Sequence, residues 1–288
     1  MKGRWRAVFE EPYRWVEAVG NRRQYLDEQF KRGSPVVALS YADGILLLTV
    51  SRGTPKLYEI YDRIALGGMG HPADLEKLRF SLLEMAHVEG FNRSPSDVTG
   101  ARLMKYGLAP TIKQAFEEVF RAPFIVKILV AELGLRPGRD AFLTVNYDGV
   151  FEEATGWAAL AATPAIQAEM GAYLRQECDL ASASLEQAVS SAVCAWAVGS
   201  LAQIRERTED DPSEERSGQS KDVQSAPAPL DKGRLLAHLR ETVAEKTIEC
   251  AVLDRGAPGS SKYRPLKPDE IGRLLPRELK NLTREESR

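Results

Sequence analysis

Gly33-Ser34-Pro35-Val36-Val37-Ala38-Leu39-Ser40-Tyr41-Ala42-Asp43-Gly44-Ile45-Leu46-Leu47-Leu48-Thr49-Val50 holds two apolar, β-leaning runs, 35–41 and 44–50, joined by Ala42-Asp43. The connection is rich in turn formers and short enough for a tight reversal, so the run is read as an antiparallel hairpin with a largely buried face.

Upstream of the hairpin, Glu11 to Arg32 carries dense charge together with Trp15, Val16, Val19, Tyr25, Leu26 and Phe30. Pro12 suits a first helical position and Gly33 a stop, which predicts an exposed amphipathic helix weakened at Gly20. Downstream, the turn-forming Ser51-Arg52-Gly53-Thr54-Pro55 precedes a third strand over 57–65, and the run ends in a flexible Gly67-Gly68-Met69-Gly70. Leu75, Leu78, Leu82 and Met85 recur at helical spacing. A second helical pattern over 97–120, with Ile112, Ala115, Phe116 and Val119 on one stripe, is expected to be kinked or split at Pro110. Ser96 or Asp97 is expected to cap it, and Asp62-Arg63 to end the third strand.

Strands follow at 124–133, 141–147 and 150–162, the last two joined by Asp148-Gly149, and then two helices after Pro164. The second of these places Leu185, Ala188, Val189, Ala192 and Trp196 on one face. From Arg207 to Leu230 the chain is dominated by Glu, Asp, Ser, Gln and Pro with almost no large apolar residue, and it cannot repay its ordering entropy by burial, so it is expected to be a disordered insertion. Order is expected to resume with a helix over 235–243, a strand over 247–253 and a last helix over 268–275. Strands, two helices, strands, two helices is an α+β order, and a four-layer αββα sandwich with an N-terminal helix and a disordered acidic insertion satisfies it.

With 39 basic against 41 acidic residues, no global field favours nucleic acid or an anionic membrane as a partner. Cys178, Cys194 and Cys250 are odd in number and widely separated, which fits a reducing compartment. The first fourteen residues lack the apolar core of a signal peptide, and no later run is expected to span a bilayer, so a cytoplasmic location is the default expectation. His71, His87 and His238 lack metal-ligand spacing, and the Gly67–Gly70 run lacks the Lys-Ser/Thr of a phosphate loop, so neither metal nor cofactor is expected.

The 33–44 hairpin resembles the first hairpin of bacterial 20S proteasome α subunits, members of the N-terminal-nucleophile hydrolase superfamily. The resemblance continues in order through Lys56-Leu57-Tyr58-Glu59-Ile60-Tyr61-Asp62-Arg63-Ile64, Ser96-Asp97-Val98-Thr99-Gly100, Val126 to Leu133, Tyr147-Asp148-Gly149 and Ile248 to Asp254. It covers about 11–205 and 245–276. It implies seven copies in a ring with other α subunits, two such rings capping rings of proteolytic β subunits, and docking of the C-terminal tails of an AAA+ ATPase activator. On this reading 1–14 is a flexible gate segment beginning Met1, Lys2, Gly3, Arg4, Trp5, and 15–206 is the core with its leading helix. Residues 207–232 form a disordered linker, 233–276 complete the core and 277–288 are a charged tail.

Active members of this superfamily use a threonine whose own α-amine takes the hydroxyl proton. Here Gly33-Ser34-Pro35 stands at the corresponding strand, with Thr49, Val50 and Ser51 where an acidic partner is expected, so no catalytic residue is assigned. Lys56, with Gly33, falls where the resemblance implies the activator-docking pocket; on residue type alone Lys56 is a lysine flanking a strand edge. Trp15, Tyr25 and Phe30 are expected to meet the ring or the β ring, or else to complete an internal core. Two other readings stand beside this one: a self-processed hydrolase with Ser34 as nucleophile, and a ring scaffold without a protease partner.

Overall fold

A computed structural model of the protein describes residues 4–118, 120–177, 182–210 and 232–276. Helix α1 (Arg4–Phe30) leads into β1 (Val36–Tyr41) and β2 (Gly44–Ser51), which pair from Val36↔Thr49 to Tyr41↔Gly44 across the Ala42-Asp43 turn. The helix starts at Arg4, ahead of the Glu11 boundary, and passes through Gly20 without a break. Every residue of β2 is buried, because β1 pairs on one side of it and β9 (Thr247–Asp254) on the other.

The expected third strand is two strands, β3 (Leu57–Tyr61) and β4 (Ile64–Gly70), with Asp62-Arg63 as the reversal between them. The glycines expected to be flexible are the buried end of β4, and close packing explains them. A Cβ on Gly68 would lie 2.3 Å from the Leu75 side chain, and one on Gly67 2.8 Å from Val36. Helix α2 (Pro72–Asn92) buries Leu75, Leu78 and Leu82 as the spacing implies. The second helical region is divided into α3 (Gly100–Arg102), a π-helical turn over Leu103–Leu108 and α4 (Ala109–Glu117). Pro110 lies in the first turn of α4, where a missing N–H costs nothing, and the π turn absorbs the break just upstream. The cap is Thr99, whose hydroxyl accepts the Arg102 N–H at 3.3 Å; Ser96 and Asp97 belong to a preceding 3₁₀ turn capped by Ser94.

β5 (Val126–Glu132) and β6 (Ala141–Val145) are followed by a correction to the expected meander. Residues 150–162 form two strands, β7 (Phe151–Ala154) and β8 (Trp157–Leu160), that belong to different sheets. Gly156, at φ +82°, makes the turn at which the chain crosses over. Helices α5 (Pro164–Glu177), α6 (Leu185–Asp210) and α7 (Lys232–Val243) come next, then β9, the short β10 (Tyr263–Pro265) and α8 (Pro268–Leu274). Helix α6 runs through Arg207 to Asp210, beyond the expected start of the linker, and α7 takes its last residue, Lys232; residues 211–231, Cys178 and the 277–288 tail lie outside the described residues.

The result is an α+β fold with two five-stranded antiparallel sheets, ordered β10-β9-β2-β1-β8 and β3-β4-β5-β6-β7. Alternation along β5 links them. Leu129 and Ala131 join the core of the first sheet, while Ile128 and Val130 join a second core with Leu66, Leu75 and Leu78. Helix α6 lies across β1 and β2 with Ala188, Val189, Ala192 and Trp196 buried. The stretch Leu185–Glu209 is, contrary to expectation, long and apolar enough to cross a bilayer by length and composition, but two-thirds of its apolar window is buried in the protein.

Candidate functional site

Lys56 sits in the connection between β2 and β3, opposite β9. Gly53, at φ +104°, turns the chain after Ser51 so that it comes back past β9, and the Lys56 and Leu57 amides donate to the Glu249 carboxylate at 3.0–3.1 and 2.9 Å. The Lys56 carbonyl accepts the Gly68 N–H at 2.9 Å, which pins the backbone between both sheets. Its side chain is half-buried and, among the described residues, makes no hydrogen bond or ion pair. Burial lowers the Lys56 pKa below the ordinary lysine range; the Glu249 charge opposes this and the Lys246 charge adds to it. Glu249 is pushed the other way by burial, with the two amide bonds opposing.

Gly33 shares this end of β4: a Cβ there would strike the Met69 side chain at 2.4 Å, and its carbonyl accepts the Gln203 amide at 2.8 Å. Gly33 and Lys56 thus both meet the end of β4, Gly33 at the Met69 side chain and Lys56 at the Gly68 N–H. Of the expected contact aromatics, Trp15 and Tyr25 are exposed at 44% and 50%. Phe30 is not a surface residue. It is fully buried, stacked on Tyr147 at 5.9 Å, because α1 must close the core where it meets β1. Arg4 and Trp5 lie in α1 rather than in a separate segment, and Met1, Lys2 and Gly3 lie outside the described residues.

The C-terminal half of α1 is tied to the body. Arg22 donates to the Ala115, Phe116 and Glu118 carbonyls at 2.7–3.1 Å, which caps the end of α4, and Tyr147 donates to Asp27 at 2.7 Å. Ser34 follows this anchored helix, so its nitrogen is an amide, and its hydroxyl accepts the Trp196 indole N–H at 3.0 Å. No family model matches the chain. Among curated proteins it is similar to the "Proteasome subunit alpha" of Acidothermus cellulolyticus, 34% identical over 49% of this chain and 60% of the relative. To that of Actinosynnema mirum it is 36% identical over 46% and 51%, and to that of Streptomyces scabiei 28% identical over 90% of this chain and 89% of the relative. These similarities to curated proteasome α subunits support an α-type proteasome subunit.

In the first three such relatives the match spans only 51–60% of their length, whereas the Streptomyces matches run along nearly the whole chain. Two further charged groups stand out that the sequence reading did not assign. Lys127, in β5, is 8% exposed and donates to the Ala161 and Ala162 carbonyls at 3.0 and 2.7 Å over the Phe30 ring. Burial lowers its pKa to about 8, with Asp27 and Asp148 opposing. It borders a cleft of about 470 Å³ shared with Asn146, Asp148, Trp157, Gln167 and Arg175. A lysine inside the apolar run 124–133 is a visible signal; its partners, more than thirty residues away, are not. Glu249 carried no signal, since only strand pairing brings it to Lys56.

The histidines have local structural partners. His71 caps α2 by accepting the Ala73 N–H, His87 bonds the Leu83 carbonyl and His238 bonds the Ser200 hydroxyl. Asp62 and Arg63 act structurally, through the Lys262 N–H on the Asp62 carbonyl and Arg63 on the Leu133 carbonyl. Cys194 and Cys250 are buried, and burial raises the Cys250 thiol well above its ordinary value.

Proposed function

We propose that this chain is a non-catalytic α-type ring component of a cytoplasmic 20S proteasome core particle, folded as a four-layer αββα sandwich. Seven copies form a ring that caps proteolytic β subunits, restricts entry through the segment ahead of the α1 anchor, and docks the C-terminal carboxylates of an AAA+ ATPase. The observation that carries the reading is Lys56: a half-buried ammonium with no ion pair among the described residues, at an edge where a carboxylate would neutralise it. The Ser34 environment supports the absence of chemistry in this chain, because its hydroxyl is taken up as the acceptor of the buried Trp196 indole N–H.

Co-expression with a candidate β subunit, followed by particle sizing and a peptidase assay, tests it. A large particle whose activity resides in the β chain is expected. Removal of residues 1–14 is expected to raise peptide hydrolysis by the intact particle. A large inactive particle, or a ring that never recruits the β chain, would favour a bare scaffold. Peptidase activity from this chain alone, together with cleavage ahead of Ser34, would establish the hydrolase reading instead.

A further inference from the structure

The Lys56 position is not a lone charge. Ser51↔Thr247 and Thr49↔Glu249 are paired residues of β2 and β9, so Arg52, which follows Ser51, and Lys246, which precedes Thr247, leave the sheet at the same end as Lys56. Among the described residues none of these three side chains makes a hydrogen bond or ion pair. Some other surface cations are paired, as in Arg79–Glu76 at 2.7 Å and Arg264–Glu270 at 2.8 Å. Arg52 acts on Lys246 and Lys246 on Lys56, each depressing its neighbour's pKa, so the three charges share one field. The acids in range are the exposed Glu245, beside Lys246, and Glu249, whose carboxylate is already engaged by two backbone amides.

The geometry points to an extended anion site in which Lys56 takes a peptide's terminal carboxylate and Arg52 with Lys246 reads an acidic side chain a few residues upstream of it. This rests on the docking role of Lys56 proposed above and adds the class of tail selected. A single carboxylate neutralises the half-buried Lys56 and leaves Arg52 and Lys246 with only the exposed Glu245 between them. An aspartate or glutamate in the preceding residues supplies a further counter-charge, and an arginine at the rim suits it by its forked donors.

The test uses the full chain in its assembled particle and a fluorescein-labelled hexapeptide, Gly-Ser-Glu-Ala-Leu-Ala, read by anisotropy. Four peptides are compared: Glu or Gln at the third position, each as free acid or C-terminal amide. The wild type is expected to bind the Glu free acid about three- to tenfold more tightly than the Gln free acid, a preference that shrinks as salt is raised. The Arg52→Gln/Lys246→Gln double variant is expected to bind the two equally while still preferring free acid over amide. Lys56→Gln should lose the acid-over-amide preference. If the double variant keeps the full Glu-over-Gln preference, or the wild type has none, the extended site is wrong and the Lys56 pocket stands. If no binding depends on Lys56, both are wrong.

Discussion

Trp196 donates its indole N–H to the Ser34 hydroxyl at 3.0 Å, so the serine that the hydrolase reading would make a nucleophile is held as a hydrogen-bond acceptor for a buried side chain of α6. Trp196 is 1% exposed, and Ser34→Ala strands its N–H away from water. Urea unfolding of the variant should show a loss of about 1–3 kcal/mol. Peptide hydrolysis per assembled particle should be unchanged. Abolished hydrolysis in a particle of normal size would mean that the hydroxyl takes part in chemistry after all.

Gln203 closes the other end of the same junction. Its side-chain nitrogen faces the carbonyls of Phe30, Lys31 and Gly33 at 3.1, 3.3 and 2.8 Å, the orphan acceptors at the C-terminus of α1. Gln203→Leu keeps the volume and removes the donors, at a cost of about 1–3 kcal/mol. It should also speed tryptic cleavage near Lys31 and Arg32 under native conditions. Unchanged cleavage would show that α1 is held by Arg22, Asp27 and Phe30 without help from α6.

The hairpin, the helix pairs and the α+β order were legible because each depends on spacing along the chain. The Ala42-Asp43 turn and the α6 face around Trp196 came out where the residue pattern puts them. The Gly67–Gly70 error has a different origin. Glycine reads as flexible when the side chains it must admit, Leu75 and Val36, are not in view. The crossing between β7 and β8 was missed because a single glycine at Gly156 carries it inside an apolar run. At the site, Lys56 and Gly33 came from resemblance, and Glu249, Arg52 and Lys246 needed the register of β2 against β9. Phe30 was misassigned to a surface because an aromatic on an amphipathic terminal helix looks the same in sequence whichever side it faces.

Asp140 joins the two sheets at the far end of β1. It accepts the Ser40 hydroxyl at 3.0 Å, the Gly134 N–H at 2.9 Å and Arg255 at 3.0 Å, and it is 5% exposed. Asp140→Ala leaves Arg255 half-buried and uncompensated, and a loss of about 3–5 kcal/mol is expected. Arg255→Met alone should cost a similar amount, and the double variant less than the sum, because the second substitution removes a charge already stranded. Additive losses measured by chemical denaturation would show that the pair is not coupled.

Lys127 gives the fold a pH dependence of its own. Its nitrogen has two carbonyl acceptors, Ala161 and Ala162, so the neutral amine fills both and the third proton of the ammonium faces only the Phe30 ring at 4.9 Å. With a folded pKa of about 8 against an ordinary lysine value, the ammonium is the costly form in the native state. Below pH 8 both states carry the proton and the cost is paid in full. As pH rises from about 8 to the unfolded value of about 10.4 the native state has lost the proton and the unfolded state has not, so stability increases with pH, by about 2–3 kcal/mol. Lys127→Met has no such slope, and comparing the two proteins at pH 7.5 and 10 cancels the alkaline effects of tyrosines and other groups they share. The stability of the wild type relative to Lys127→Met should therefore climb over this interval. A constant difference would mean that Asp27 and Asp148 hold Lys127 charged throughout, and that the cleft beside it is wet enough to solvate an ammonium.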